Sequence, residues 1–194
     1  TGQFEHAGQS IEVVDLPGTY TLGSPELDGA LDERIAQAFL AAGTARLIVN
    51  IVDASNLERN LYLTVQLLEM HLPVVVALNM MDVASDRRMR IDAERLAHRL
   101  GCLVVPIVAS RKRGIETLKD AVVAAAGLPR SGGLDLVYPA AVERAVDELA
   151  PHLDAAVDRR RWLALRLLEG DAEALAAAPA AARERLALLK ARVE

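Results

Sequence analysis

Three apolar runs, each followed by a stretch with helical periodicity, constrain the fold of this chain more than any other feature. The strand-like runs are 46–53, 73–79 and 103–109. The helical stretches are 31–42, 57–70, 92–101 and 115–126. This alternation predicts an α/β domain in which flanking helices connect the strands of a mostly parallel sheet. Because the strands are continuous runs rich in Val, Ile and Leu, we expect the sheet to be buried on both faces.

The two ends of the chain depart from this pattern. Residues 2–5 and 10–14 predict two short strands joined at Ala7 and Gly8, which form a hairpin at a sheet edge. A break in composition occurs at 128–133, and no strand-like run returns beyond it. We therefore predict an α/β domain over 1–130 and a small all-helical domain over 131–194.

Composition limits the possible functions. The net charge of -5 and the aromatic content of 3% argue against nucleic acid as the main partner. The single cysteine, Cys102, lies in an apolar run, so we expect a buried and inert thiol rather than a disulfide or a cysteine-based metal site. The apolar runs are far shorter than the roughly 20 residues that span a bilayer. We expect these residues to fold as a soluble, packed globule.

The first motif that carries chemistry is D-x-x-G, at Asp15 to Gly18, directly after the predicted hairpin. In GTPases the Asp of this motif holds Mg²⁺ through a water molecule, and the N–H of the Gly contacts the γ-phosphate. Asp, Pro and Gly are also frequent turn residues. On its own, this motif is therefore better explained as a turn.

Two further loops complete a possible base-binding set. Asn79 and Asp82 follow the second apolar run and match N-K-x-D, in which the Asp pairs with guanine N1–H and the 2-amino group while the Asn braces the loops. Met80 stands where many GTPases have Lys. After the third run, 109–111 occupies the place of the S-A-K loop, whose backbone N–H contacts guanine O6.

The order of the three loops favours a guanine-nucleotide site. Each loop follows a separate strand, and the carboxyl ends of parallel strands meet at one rim of the sheet. The candidate nucleotide-binding residues are Asp15, Gly18, Asn79, Met80, Asp82, Ala109, Ser110 and Arg111, with Asp15 also the candidate metal ligand. Asp53, at the end of the first run, is better explained as a helix cap.

These motifs and their flanking residues resemble the FeoB family of ferrous iron transport proteins. The resemblance is carried by 15–20 (DLPGTY), 52–61 (VDASNLERNL), 79–82 (NMMD), 90–91 (RI), 111–116 (RKRGIE) and 160–171 (RRWLALRLLEGD). It covers nearly the whole chain.

The resemblance implies a P-loop GTPase-like G domain that binds GTP or GDP with Mg²⁺ and hydrolyses GTP slowly. It also implies a helical spacer domain that stabilises the GDP state and a membrane-spanning iron permease in the same polypeptide. The expected place is the cytoplasmic side of the bacterial inner membrane, with a homo-oligomer as a further expectation.

One element of the G domain has no counterpart in the sequence. No G-x-x-x-x-G-K-[ST] phosphate loop occurs, and too few residues precede Asp15 to hold one. We therefore expect an upstream segment in the parent protein, without which two internal strand edges stay unpaired. These residues alone are expected to bind nucleotide weakly or not at all. Thr19 also replaces the water-orienting Gln of Ras-type enzymes, which predicts slow hydrolysis.

Two other functions stay open. An RNA- or ribosome-associated GTPase would normally carry a basic RNA-binding module after the G domain, and the acidic balance of this chain counts against it. A nucleotide-free interaction module, in which the G fold is a scaffold, is supported by the missing phosphate loop. Guanine selectivity that depends on Asp82 distinguishes a GTPase from a scaffold.

Overall fold

The structure, a computed structural model, consists of two compact units. It describes residues 1–18, 35–36, 38–40, 45–127, 136–155 and 157–190. One unit contains described residues up to 127, and the other contains those from 136 onward. The predicted domain boundary at 130 lies outside the described residues and stays a prediction. The predicted helix at 31–42 also lies mostly outside them, although 35–36 and 38–40 are helical.

The first unit begins with the predicted β-hairpin. Strand β1 (Gly2–His6) pairs antiparallel with β2 (Gln9–Val13). Ala7 and Gly8 connect them, both with positive φ, at 49° and 73°. A two-residue turn of this kind matches the right-handed twist of paired strands. The hairpin is therefore confirmed, with its turn where the sequence placed it.

A parallel three-stranded sheet forms the centre of the first unit. Its strands are β3 (Ile48–Asp53), β4 (Val74–Asn79) and β5 (Leu103–Pro106), in the order β3-β4-β5. The hairpin forms a separate sheet. Within the described residues, β2 pairs only with β1 and β3 only with β4.

All three strands of the parallel sheet are shorter than the sequence predicted, although β4 differs only in beginning at Val74 rather than at residue 73. β3 begins at Ile48 rather than at residue 46, and β5 ends at Pro106 rather than at residue 109. Beyond Pro106, Val108 leaves the parallel ladder and pairs with Arg113 in an isolated antiparallel bridge. The residues after β5 therefore belong to a closed loop rather than to the sheet.

Besides the helical residues at 35–36 and 38–40, the described part of the first unit contains four α-helices. They are α1 (Leu57–Glu69), α2 (Met81–Asp86), α3 (Ala93–Leu100) and α4 (Ile115–Ala126). The ends of α3 are as predicted, because the Asp92 side chain accepts from the Arg95 N–H at 2.9 Å and Gly101 has a φ of 67°. The six-residue α2 was not predicted, because it begins inside the N-x-x-D motif that indicated a loop.

Only the central strand of the sheet is buried on both faces. All residues of β4 from Val74 to Leu78 are buried, but Val49 and Ile51 of β3 keep 40% and 66% of their surface exposed. The expected burial on both faces is therefore wrong for β3. Its opposite face is covered by α1, where Asn50 Nδ2 donates to Thr64 Oγ1 at 2.8 Å. Among the described helices, α4 packs on β4 and β5. It does not cover the face of β3 that carries Val49 and Ile51.

Helix α4 also holds the hairpin. His6 Nε2 lies 2.7 Å from Asp120 Oδ1, and Lys119 Nζ lies 6.0 Å from the centre of the Phe4 ring. The same helix packs its apolar side chains on β4 and β5. The two separate sheets are therefore connected through α4.

The second unit is helical, as predicted. Its helices are α5 (Ala140–Leu149), α6 (Val157–Glu169), α7 (Ala172–Ala177) and α8 (Ala180–Lys190). Its buried core is aliphatic and consists of Val146, Leu149, Leu153, Ala164, Leu165, Leu167, Ala178, Ala182 and Leu186. No helix among the residues described is long and apolar enough to cross a membrane.

A buried arginine ties α6 to α7. Arg166 is 3% exposed, and its guanidinium donates to Glu169 Oε2 at 2.8 Å and to Asp171 Oδ2 at 2.6 Å. Asp171 also caps α7, because its Oδ1 accepts from the Ala174 N–H at 2.6 Å. The Asp171 carboxylate therefore both pairs with the buried charge of Arg166 and caps α7.

A second ion pair fixes the segment that leads into α5. Arg161 donates to both carboxylate oxygens of Glu143, at 2.7 and 2.8 Å, and to the Leu136 carbonyl at 2.8 Å. The Tyr138 N–H donates to the same carboxylate at 2.7 Å. The bond from Arg161, followed by that from Tyr138, lowers the pKa of Glu143 to about 2.

Cys102 is half-buried, and burial raises the pKa of its thiol to about 11. The thiol is therefore protonated at neutral pH, and a protonated thiol is a poor nucleophile and a poor metal ligand. The thiol is less buried than the sequence analysis expected, and its inertness stays a prediction.

Candidate nucleotide-binding site

The parallel sheet presents three chain segments at one rim. β3 ends at Asp53 and β4 at Asn79, side by side in the ladder, and the chain after β5 reaches Ala109. Asp53 Oδ1 accepts from the Ser55 N–H at 2.8 Å, so Asp53 caps the short turn before α1, as predicted. The other two segments carry six of the eight candidate residues.

The Asn79 side chain joins these two loops. Its Oδ1 accepts from the Ala109 N–H at 3.1 Å, although the two residues are thirty positions apart in the sequence. Asn79 is the last residue of β4, whose preceding residues are buried, so the side chain extends from a rigid support. This bond is of the kind predicted for the Asn of the N-x-x-D motif.

The backbone conformation of Met80 determines where Asp82 lies. Met80 has a φ of 61°, in the left-handed region that residues other than Gly rarely adopt, and its side chain is 43% exposed. Asp82 then lies in the first turn of α2, where the helix dipole favours a carboxylate. Its Oδ1 accepts from the Val83 N–H at 3.0 Å, and its Oδ2 lies 3.6 Å from Arg111 Nε.

The turn at Ala109–Arg111 leaves one backbone donor available. The Ala109 N–H is bonded to Asn79, the Arg111 N–H donates to the Val108 carbonyl at 3.0 Å, and the Lys112 N–H donates to the Ala109 carbonyl at 3.0 Å. These bonds leave the Ser110 N–H as the donor of the turn that none of them uses. This is the position at which the S-A-K loop presents its N–H to guanine O6.

Gly114 closes the loop that contains this turn. Val108 and Arg113 exchange two backbone hydrogen bonds, at 3.0 and 3.1 Å, and Gly114 follows with a φ of 78°. A Cβ at Gly114 would lie 2.5 Å from the Pro106 carbonyl oxygen, which is too close for any other residue. Gly114 was not among the candidate residues, although it is necessary for the shape of the site.

Asp15 and Gly18 lie on a different segment, after β2, and both are exposed. No hydrogen bond or ion pair among the described residues joins either one to the loops after β4 and β5. Nor does the described part of the chain contain a group of three or more His, Cys, Asp or Glu that could hold a metal ion. The assignment of Asp15 as a metal ligand stays a prediction.

The structure thus brings together one subset of the candidate residues. One hydrogen bond, from Ala109 to Asn79, and one ion pair, between Asp82 and Arg111, connect the two loops that carry the other candidates, Met80 and Ser110 included. Asp15 and Gly18 are not connected to them in the described residues. The contact between Asp82 and Arg111 was not predicted, because neither motif alone indicates it.

Both parts of the chain match known families. Residues 1–122 match the family described as Ferrous iron transport protein B, and residues 138–194 match the FeoB cytosolic helical domain. The Fe(2+) transporter FeoB of Salmonella typhimurium (strain LT2) is 47% identical over 176 residues. That similarity covers 88% of this chain and 22% of the relative, so the chain spans about a fifth of the relative's length.

Solved structures of FeoB share this fold. The cytosolic domain of L. pneumophila FeoB has a TM-score of 0.81 and 34% identity, over 97% of this chain and 72% of that chain. The cytosolic domain of T. maritima FeoB in its GMPPNP form has a TM-score of 0.81 and 32% identity, over 98% of this chain and 79% of that chain. The two units are therefore a G domain and a helical domain, and the chain belongs to the FeoB family.

Proposed function

We propose that this chain binds guanine nucleotides and that Asp82 selects the base. One observation carries the proposal: Asn79 Oδ1 holds the Ala109 N–H at 3.1 Å, which joins the loop of Asp82 to the turn that offers the Ser110 N–H. Guanine presents two donors, N1–H and the 2-amino group, beside one acceptor, O6. A carboxylate next to a backbone N–H is complementary to that edge, whereas adenine has an acceptor at N1 and a donor at position 6.

The remaining candidates surround the base in this proposal. The exposed Met80 side chain replaces the Lys of other GTPases, and its flexible thioether is suited to cover an aromatic face. Ala109 contributes its backbone through the bond to Asn79. Gly114 keeps the turn closed.

The phosphate side of the site involves Asp15 and Gly18. We propose that Asp15 holds Mg²⁺ through water and that the Gly18 N–H contacts the γ-phosphate, as in other GTPases. When bound, Mg²⁺ neutralises charge on the phosphates. Slow hydrolysis of GTP is also part of the proposal, because Thr19 replaces the water-orienting Gln of Ras-type enzymes. Thr19 and the residues up to 34 lie outside the described residues. The 194 residues alone are expected to bind weakly, because they contain no phosphate loop.

In the whole protein, the proposed role is to couple the nucleotide state to ferrous iron uptake. The S. typhimurium relative is an Fe(2+) transporter, and this chain matches 22% of it. We propose that the chain lies on the cytoplasmic side of the bacterial inner membrane and is continuous with a membrane-spanning iron permease. The helical domain is proposed to stabilise the GDP state.

The test is nucleotide binding by the full-length protein and by two variants of α2. A fluorescent GDP analogue is titrated, and unlabelled GDP and ADP compete with it. Asp82→Ala should weaken GDP binding about a hundredfold or more, because it removes two hydrogen bonds to a charged group at roughly 1.5–3 kcal/mol each. Asp86→Ala removes an exposed carboxylate at the other end of α2 and should not change the affinity.

Each alternative predicts a different result. A nucleotide-free scaffold would bind neither GDP nor ADP in the wild-type protein. A nucleotide site without guanine selectivity would bind both equally and would not respond to Asp82→Ala.

A further inference from the structure

We infer that Arg111 competes with guanine for Asp82 and so lowers the affinity of the site for the base. The inference rests on the proposed function. Arg111 Nε lies 3.6 Å from Asp82 Oδ2, and Asp82 Oδ1 accepts from the Val83 N–H at 3.0 Å. Both oxygens that guanine needs are therefore in contact with groups of the chain itself. Guanine must displace the guanidinium before it can pair with the carboxylate.

The surroundings of the pair allow this exchange. The Arg111 backbone is fixed, because its N–H donates to the Val108 carbonyl at 3.0 Å within the loop closed by Val108 and Arg113. The Arg111 side chain is 66% exposed and that of Asp82 is 23% exposed. The guanidinium can therefore move into water by rotation of its own side chain while the turn keeps its shape. The Ser110 N–H stays in place during that movement.

The exposure of the pair limits the size of the effect. Ion pairs between exposed side chains are weak, because water screens the charges and holding two side chains in one geometry costs entropy. The competition should therefore change the affinity by a small factor rather than block the site. After guanine leaves, Arg111 re-forms the pair and occupies the carboxylate, which favours release over immediate rebinding.

The experiment compares Arg111→Gln with Lys112→Gln in the full-length protein. Lys112 is the next residue, is exposed and has the same charge, so its variant reports the general effect of one positive charge on the binding of an anionic nucleotide. Relative to Lys112→Gln, Arg111→Gln should bind GDP roughly two- to fourfold more tightly, the size expected for an exposed ion pair. An equal or lower affinity of Arg111→Gln would overturn the inference.

A second background separates competition from direct contact with the base. In Asp82→Asn there is no carboxylate for Arg111 to hold, and the amide suits xanthosine diphosphate, which has a carbonyl in place of the 2-amino group. In this background Arg111→Gln should bind xanthosine diphosphate as tightly as Lys112→Gln does, because only the general effect of one positive charge is left. A greater loss of affinity in Arg111→Gln than in Lys112→Gln would show that Arg111 contacts the base directly and would overturn the inference. If the wild-type protein binds no GDP, it is the proposed function that fails.

Discussion

Met80 and Gly114 are two residues whose backbone conformations shape the loops of the candidate base-binding site. Met80 has a φ of 61° and Gly114 a φ of 78°, and each directly precedes a helix at the rim of the sheet. The N-x-x-D motif indicated Asn79 and Asp82 by their side chains, and the bond from Asn79 to Ala109 agrees with it. The motif did not indicate Gly114, because the need for glycine arises from the Pro106 carbonyl, a contact that depends on the folded loop.

Gly114→Ala should destabilise the first unit strongly. The added Cβ would lie 2.5 Å from the Pro106 carbonyl oxygen at a φ of 78°, so we expect a loss of roughly 2–3 kcal/mol in the free energy of unfolding. The matched control is Gly101→Ala. Gly101 has a φ of 67°, but no atom lies within 4 Å of an added Cβ. This variant should lose about 1 kcal/mol in the free energy of unfolding. Urea denaturation followed by circular dichroism measures both. Equal losses would show that the contact with Pro106 is not tight.

At the scale of elements, periodicity predicted most of the structure. The three parallel strands and helices α1, α3 and α4 occur where apolar runs and caps indicated them. The exceptions have physical causes that a local pattern does not contain. Helix α2 is too short to show a period. The open face of β3 depends on which strands α4 covers, and the pairing of Arg161 with Glu143 joins residues far apart in the sequence.

Asp171→Ala should destabilise the helical unit far more than Glu169→Ala. Both carboxylates bind Arg166, but the side chain of Asp171 is 5% exposed and that of Glu169 is 50% exposed. Loss of Asp171 removes the buried partner of a buried cation and the cap of α7, with an expected cost of about 3–5 kcal/mol. Loss of Glu169 should cost at most about 1 kcal/mol.

The fluorescence of Trp162 measures this difference, because it is the single tryptophan of the chain and is buried in α6. Denaturation curves followed at that residue report the helical unit. Similar midpoints for the two variants would contradict the importance of the buried pair.

Glu143 should make the stability of the helical unit depend on acid pH. Its pKa is about 2 in the folded chain and 4.5 as the ordinary value, so the folded state favours the charged form. The resulting stability is fully present above pH 4.5 and is lost as the pH falls from 4.5 through 2. Glu143→Gln should be less stable than the wild type at pH 7 and should show a flatter decline between pH 4.5 and 2.

Arg161→Gln removes the main cause of the lowered pKa and should flatten the same part of the profile. Thermal unfolding followed at Trp162 across this pH range compares the three proteins. Parallel profiles for all of them would mean that Glu143 is not the group that titrates.

At the scale of the whole molecule, the two units could be identified from the sequence by different kinds of signal. The G domain was indicated by short motifs at the ends of strands, and residues 1–122 match the FeoB family there. The helical unit contains no such motif, and its identity comes from resemblance over its length, in agreement with the family match at 138–194. Its buried polar contacts were not predicted, since helical periodicity alone does not reveal which charges pair.

We propose that Asp82 selects guanine, and an exchange of base specificity in the full-length protein tests this role. The wild type should prefer guanosine diphosphate to xanthosine diphosphate by about a hundredfold or more, because the carboxylate accepts from the 2-amino group and is repelled by the carbonyl of xanthine. Asp82→Asn should reverse this preference, since its amide can donate to that carbonyl. Competition titrations with both nucleotides measure the two ratios. An unchanged preference for guanine in Asp82→Asn would contradict the account.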